Sequence, residues 1–179
     1  MNPQGAMTFL IDVVINLFIF LLLTRFILQL VRADFYNPLS QFVVKATNPV
    51  LTPLRKIVPG TSLVDVASLV AVVILIILKV VMLVSLNGQG VPPVPAMVIF
   101  ALRSLASLMI NYLFFAVLIR VILSWVAPDP YNPFTAIMTQ ITEPVMAPVR
   151  RVMPAMGGLD LSPLVVLLGL QFLMVLFAI

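Results

Sequence analysis

Four long, predominantly apolar runs constrain this chain more than any other feature: Thr8–Val31, Leu63–Leu86, Ala96–Val126 and Leu161–Ile179. A helix that crosses a ~30 Å hydrocarbon core takes about 20 residues. Each run comes close to that length or exceeds it. Each is apolar all round rather than alternating, which favours helices over the strands of a barrel. Composition agrees, at 63% hydrophobic and 9% charged, against roughly half and a quarter in soluble domains. The chain reads as an all-α integral membrane protein with four transmembrane helices. No Lys or Arg precedes the first run, which is too long for a signal-peptide core and lacks a small-residue cleavage site. It reads as a retained span.

The cations set an expected orientation. Arg32, Lys45, Arg55 and Lys56 lie between runs one and two, and Arg150 and Arg151 between runs three and four. The connection Ser85–Ala96 and the N-terminal tail have none. The positive-inside rule then places the first and third connections in the cytoplasm. Both termini fall outside, in a plasma (inner) membrane.

The chain is also a tandem repeat. A shift of 95 residues, Arg25 onto Arg120, overlays Thr8–Val84 on Arg103–Ile179 without a gap. Matched identities include Asn16/Asn111, Asn37/Asn132, Pro38/Pro133, Thr47/Thr142, Pro49/Pro144, Pro53/Pro148, Arg55/Arg150, Pro59/Pro154 and Asp65/Asp160. The expected organisation is a first repeat over 8–84, a Gly/Pro-rich external linker over 85–96, and a second repeat over 97–179. Each repeat is a helical hairpin of the same orientation, so the two are parallel.

Between the spans of each repeat lies a proline-rich basic segment, 37–59 and 132–154. Asn37-Pro38 and Asn132-Pro133 read as an N-cap followed by proline at the first helical position. Leu39, Phe42, Val43 and Ala46 follow helical spacing and make one apolar face. Pro49 and Pro144 are expected to break that helix and open another, which Pro53 and Pro148 kink. A kinked amphipathic element bearing Lys45, Arg55, Lys56, Arg150 and Arg151 suits the headgroup plane, where its cations meet anionic lipid. Solvated loops and re-entrant segments fit the same pattern.

Polar groups inside the runs are few and repeated. Arg25 and Arg120 lie within snorkelling reach of the cytoplasmic side. Asp65 and Asp160 open the returning helices, which suggests the pairs Arg25–Asp65 and Arg120–Asp160. Asn16, Phe20, Leu23 and Ile27 share a stripe, repeated at Asn111, Phe115, Leu118 and Ile122. The stripe suggests that the two helices face each other through an Asn–Asn hydrogen bond; a pore-lining role is the alternative. Asp12 has Lys79 or Arg103 as a candidate partner.

The second repeat is also the more motif-rich. Arg120, Ser124-Trp125, Asn132-Pro133, Thr142-Glu143-Pro144, Pro148, Arg150, Pro154 and Leu159-Asp160-Leu161-Ser162-Pro163 together resemble the pattern of the YggT/YlmG family of small integral membrane proteins. The first copy departs from it, reading TNP for TEP and VDVAS for LDLSP, and has no Trp. The resemblance covers essentially the whole chain. It implies an association with osmotic tolerance and potassium balance, with envelope organisation, and with cytochrome b assembly in photosynthetic lineages.

The chain has no cysteine and no histidine. That excludes disulfides, Cys/His metal sites, His-ligated haem and Cys- or His-based nucleophile pairs. No cofactor is expected. Asp34, Asp65, Asp129, Glu143 and Asp160 share one side, but no nucleophile–base pair or phosphate loop accompanies them. The residues favour a non-enzymatic scaffold or assembly factor that engages lipid headgroups, a protein partner or a second copy of itself, with no direct nucleic-acid contact. An ion or small-solute pathway formed by an oligomer is the alternative.

Overall fold

A computed structural model describes residues 3–58, 60, 64–126, 132–153 and 160–177. Among the described residues there are six helices and no strand: α1 Pro3–Leu30, α2 Pro38–Leu54, α3 Val66–Leu86, α4 Val94–Val126, α5 Pro133–Val152 and α6 Ser162–Leu176. Three of them, α1, α3 and α4, are long and apolar enough to cross a membrane. The fourth run is shorter than expected. Its helix has 15 residues, about 22 Å at 1.5 Å each. It begins at Ser162 because Pro163, in its first turn, suits a helix start.

The helix ends follow local chemistry. Asn132 Oδ1 accepts from Phe134 N–H at 2.9 Å and caps α5 ahead of Pro133. Asn37 Oδ1 does the same for Leu39 N–H at 2.9 Å, ahead of Pro38. Asp65 caps α3 through Ser68 N–H. Beyond α3, Asn87 caps its end and Gly88 takes φ 66°, a left-handed position that glycine adopts freely. Losing a helix N-cap costs about 1 kcal/mol. Asn132→Ala is therefore expected to lower stability by that amount, and Asn132→Ser to restore it, as read by thermal unfolding in micelles.

The prolines do not break α2 or α5. Pro49 and Pro53 lie inside one helix, and Pro144 and Pro148 inside another. Their spacing of four keeps each pair on one face, and all four are exposed. The carbonyls that lose a donor therefore lie on the exposed side, which lets each helix continue. The expected break at Pro49 and Pro144 is corrected on this ground. Pro59 and Pro154 lie outside the described residues, as do Leu63, Asp129 and Leu159.

The chain divides into two compact units. One gathers Met1–Leu30 and Val43–Leu105, the other Val31–Phe42 and Ala106–Ile179. In the first, α1 packs along α3. Ile19, Leu22, Leu23, Phe26 and Ile27 of α1 are buried, as are Ala67, Ala71, Val72 and Ile76 of α3. Ala67 and Ala71 are one turn apart, and such small residues let helix backbones approach. In the second, Val117, Met146, Val166 and Leu170 form the core, one cluster drawn from α4, α5 and α6. The segment before α2 joins this unit through Asp34 N–H to Gln140 Oε1 at 2.8 Å and Asn37 Nδ2–H to the Pro133 carbonyl at 2.8 Å.

Candidate functional site

Each repeat builds a charged cluster where three helices converge. In the first, Arg25 reaches from α1 to α2. Its Nη1 donates to Val44 O at 3.0 Å, Thr47 Oγ1 at 3.1 Å and Asn48 Oδ1 at 3.0 Å. Its Nε lies 3.8 Å from Asp65 Oδ2. The expected Arg25–Asp65 pair is present, but a second cation shares it. Arg55 Nη2 donates to the same carboxylate oxygen, and Ser68 Oγ donates there at 2.6 Å. The Asp65 side chain is only 2% exposed. Burial alone would push its carboxyl up. Hydrogen bonds from Arg55 and Ser68, with the Arg55 charge, outweigh that and hold it below the usual carboxylate range.

The second repeat uses the same positions differently. Arg120 Nη1 donates to Thr142 Oγ1 at 2.8 Å and lies 3.0 Å from Glu143 Oε2. Glu143 Oε1 also accepts from Arg150 Nη1 at 3.0 Å, and Arg150 Nε reaches Asp160 Oδ2 at 3.3 Å. The expected Arg120–Asp160 pair is therefore replaced by a chain, Arg120–Glu143–Arg150–Asp160. The reason is one substitution between the copies: Glu143 stands where the first repeat has Asn48. A carboxylate beside Thr142 captures Arg120 and leaves Asp160 to Arg150. This cluster is open, with Asp160 46% exposed. Hydrogen bonding by Ser162 comes first, and with Arg150 it holds the Asp160 carboxyl below its usual range despite some desolvation.

A cavity of about 580 Å³ opens beside this second cluster. Arg120, Ser124, Trp125, Arg150 and Asp160 supply its polar and aromatic lining, and α6 adds Leu164 and Leu167.

Thr47 and Thr142 each anchor the arginine of their own cluster. Each is fully buried, donates to the carbonyl four residues back at 2.7 Å and accepts from the arginine. Thr47 did not stand out as a site residue in the sequence. The signal was its place in the repeat, 22 residues after the arginine in each copy.

The sequence profile of the family described as CCB3/YggT matches residues 4–86 and again 99–179. The chain belongs to that family. The two matches fall on its two copies. An uncharacterised protein of Pseudomonas aeruginosa is 44% identical over 169 residues, covering 94% of this chain and 86% of the relative. One from Vibrio alginolyticus is 45% identical over 170 residues, at 94% and 91%. The uncharacterised protein YggT of Escherichia coli K12 is 38% identical over 165 residues, at 92% and 85%. No solved structure matches.

The remaining sequence candidates in this CCB3/YggT chain fall in two groups. Lys45, Lys56 and Arg151 are exposed on or beside α2 and α5. Arg55 and Arg150 are instead engaged in the clusters. Asn16 and Asn111 each have hydrogen-bond partners within their own unit. Asn16 Nδ2–H donates to Asp12 Oδ2 at 2.9 Å, and Asn16 Oδ1 accepts from Lys79 Nζ at 2.9 Å. Lys79 also pairs with Asp12 at 3.1 Å, as one of the two expected options. Asn111 Nδ2–H donates to Ser107 O, one turn back on its own helix, at 3.0 Å. Phe20 and Phe115 are more than half exposed, so the buried stripe of α1 is Ile19, Leu22, Leu23 and Phe26 instead. No group of three His, Cys, Asp or Glu side chains capable of holding a metal occurs among the described residues.

Proposed function

We propose that this protein is a non-enzymatic membrane scaffold whose helices α2 and α5 rest in the cytoplasmic headgroup plane and engage lipid or a partner there. The observation that carries the reading is the pairing of exposed cations with exposed apolar side chains. Lys45 accompanies Phe42, Lys56 accompanies Ile57, and Arg151 accompanies Val152. Such neighbours suit an element half in water and half in acyl chain, where each Lys or Arg near anionic lipid contributes about 1 kcal/mol. Arg25 and Arg120 support it further. Each reaches from a long apolar helix to a threonine, on α2 and α5 respectively, and so ties that helix to the apolar helix beside it.

The chain has no cysteine, so single cysteines at Phe42 and Val152 can carry fluorophores. Quenching by lipid nitroxides is expected to be strongest from the headgroup and upper acyl positions. Fluorophores quenched chiefly by water-soluble agents, or from the bilayer centre, would sink the reading. A cysteine at Lys45 that reacts only from outside would reverse the orientation.

A second reading, an ion pathway formed by an oligomer, draws on the Asp12–Asn16–Lys79 triad. Asp12 and Lys79 lie within the apolar helices α1 and α3, Asp12 is 44% exposed, and ionisable groups within membrane-spanning helices are functional candidates. Its test is potassium flux in liposomes. Flux that is lost in a folded Asp12→Asn/Lys79→Met variant supports the pathway, and flux no greater than that of empty liposomes removes it.

A further inference from the structure

We infer that the cleft between α4, α5 and α6 binds a single phospholipid through a zwitterionic, phosphoethanolamine-type headgroup. The inference rests on the reading that the ends of these helices lie at headgroup level.

The cleft has the size of a ligand site, about 580 Å³, inside the usual range of roughly 300–1,000 Å³. Its lining is graded along the chain. Asp160 precedes α6, Arg150 sits in the last turn of α5, and Arg120 lies six residues before the end of α4. Leu164 and Leu167 continue the wall into α6, to about 8 Å past its start at 1.5 Å per residue. A charged mouth followed by an apolar wall suits an amphiphile.

The charges select the headgroup. The linked chain holds two arginines and two carboxylates, so it is neutral and draws a simple anion weakly. Its donors are nonetheless not used up. Arg120 bonds through Nη1 alone, and Arg150 through Nε and Nη1. Nε and Nη2 of Arg120 and Nη2 of Arg150 hydrogen bond to nothing among the described residues. These donors suit phosphate oxygens. Asp160, held as a carboxylate by Ser162 and Arg150, suits a primary ammonium. Trp125, 80% exposed and lining the same cleft, offers an aromatic face to that cation. A ligand with one charge of each sign satisfies both ends.

The first copy provides an internal contrast. At the place of Val121 it has Phe26, and at the place of Pro163 it has Ser68. Phe26, Leu51 and Val72 fill the equivalent positions and are buried. Ser68 Oγ donates to Asp65, which proline cannot do, and Asp65 is buried against both arginines. Among the described residues, the side chains at these places are buried in the first copy, while their counterparts border the cleft in the second.

Trp125 is the only tryptophan, so it reports on the site. The experiment titrates detergent-solubilised full-length protein with dihexanoyl phosphatidylethanolamine, dihexanoyl phosphatidylglycerol and free phosphoethanolamine, reading Trp125 fluorescence. The expected result is a saturable change with phosphatidylethanolamine, at least tenfold tighter than with either comparator. Arg150→Gln and Asp160→Asn should each weaken it at least tenfold. Val121→Phe, which installs the first copy's own side chain, should abolish it while thermal unfolding stays cooperative.

Phosphatidylglycerol binding as tightly would overturn the zwitterionic assignment. Free phosphoethanolamine binding as tightly would replace the lipid with a soluble ligand. A response unchanged in folded Val121→Phe, or no saturable response at all, would remove the site. The titration in micelles does not depend on the depth of α5, which the nitroxide experiment reads separately. Either result can therefore fail without the other.

Discussion

Replacing Asp65 by alanine is expected to lower stability by about 3–5 kcal/mol, the usual cost of removing one partner from a buried ion pair. The carboxylate is 2% exposed and answers two arginines at once. Its loss leaves both guanidinium groups without their anion and removes the cap of α3. Asp160→Ala, at the matching place in the second repeat, should cost about 1 kcal/mol or less, because that pair is exposed and screened. Equilibrium unfolding of both variants in micelles measures the difference. Equal costs would contradict the closed-versus-open contrast between the clusters.

A pH dependence follows with a definite sign. The folded Asp65 carboxyl sits below its unfolded value. It therefore contributes stability that is fully present above the unfolded pKa, about 3.9, and is lost as pH falls through the folded pKa. Wild-type stability should decline below about pH 4, and the Asp65→Ala variant should show a flatter profile there.

Thr47→Val is the second expected effect. The hydroxyl is fully buried and accepts one of the Arg25 donors. Valine keeps the shape and removes that hydrogen bond, while Val44 O and Asn48 Oδ1 still accept from the same Nη1. The expected cost is that of one lost hydrogen bond, about 0.5–1.5 kcal/mol. Thr142→Val should cost less, since Arg120 borders the open cleft and water there can replace the lost acceptor. Unfolding of the two variants side by side checks the order. Thr47→Ser should recover most of the loss, because serine keeps the hydroxyl.

The repeat determined much of what was legible. Shifting the chain by 95 residues exposed Arg25/Arg120, Thr47/Thr142, Arg55/Arg150 and Asp65/Asp160, and these residues build both clusters. The Asn-Pro helix starts were legible as well, because capping depends on neighbours two residues away. The proline effect was not. Whether a proline ends a helix depends on where its unpaired carbonyl points, and Pro49, Pro53, Pro144 and Pro148 all lie on exposed faces.

Family membership and the long apolar helices were settled by the sequence alone, because both depend only on residue order and composition along the chain. Which carboxylate meets which arginine was decided by tertiary structure. Arg120 reaches both Thr142 and Glu143 on α5, while Arg150 bridges Glu143 to Asp160. Ion pairing falls off over a few ångströms, and such distances between side chains on different helices exist only once those helices have packed.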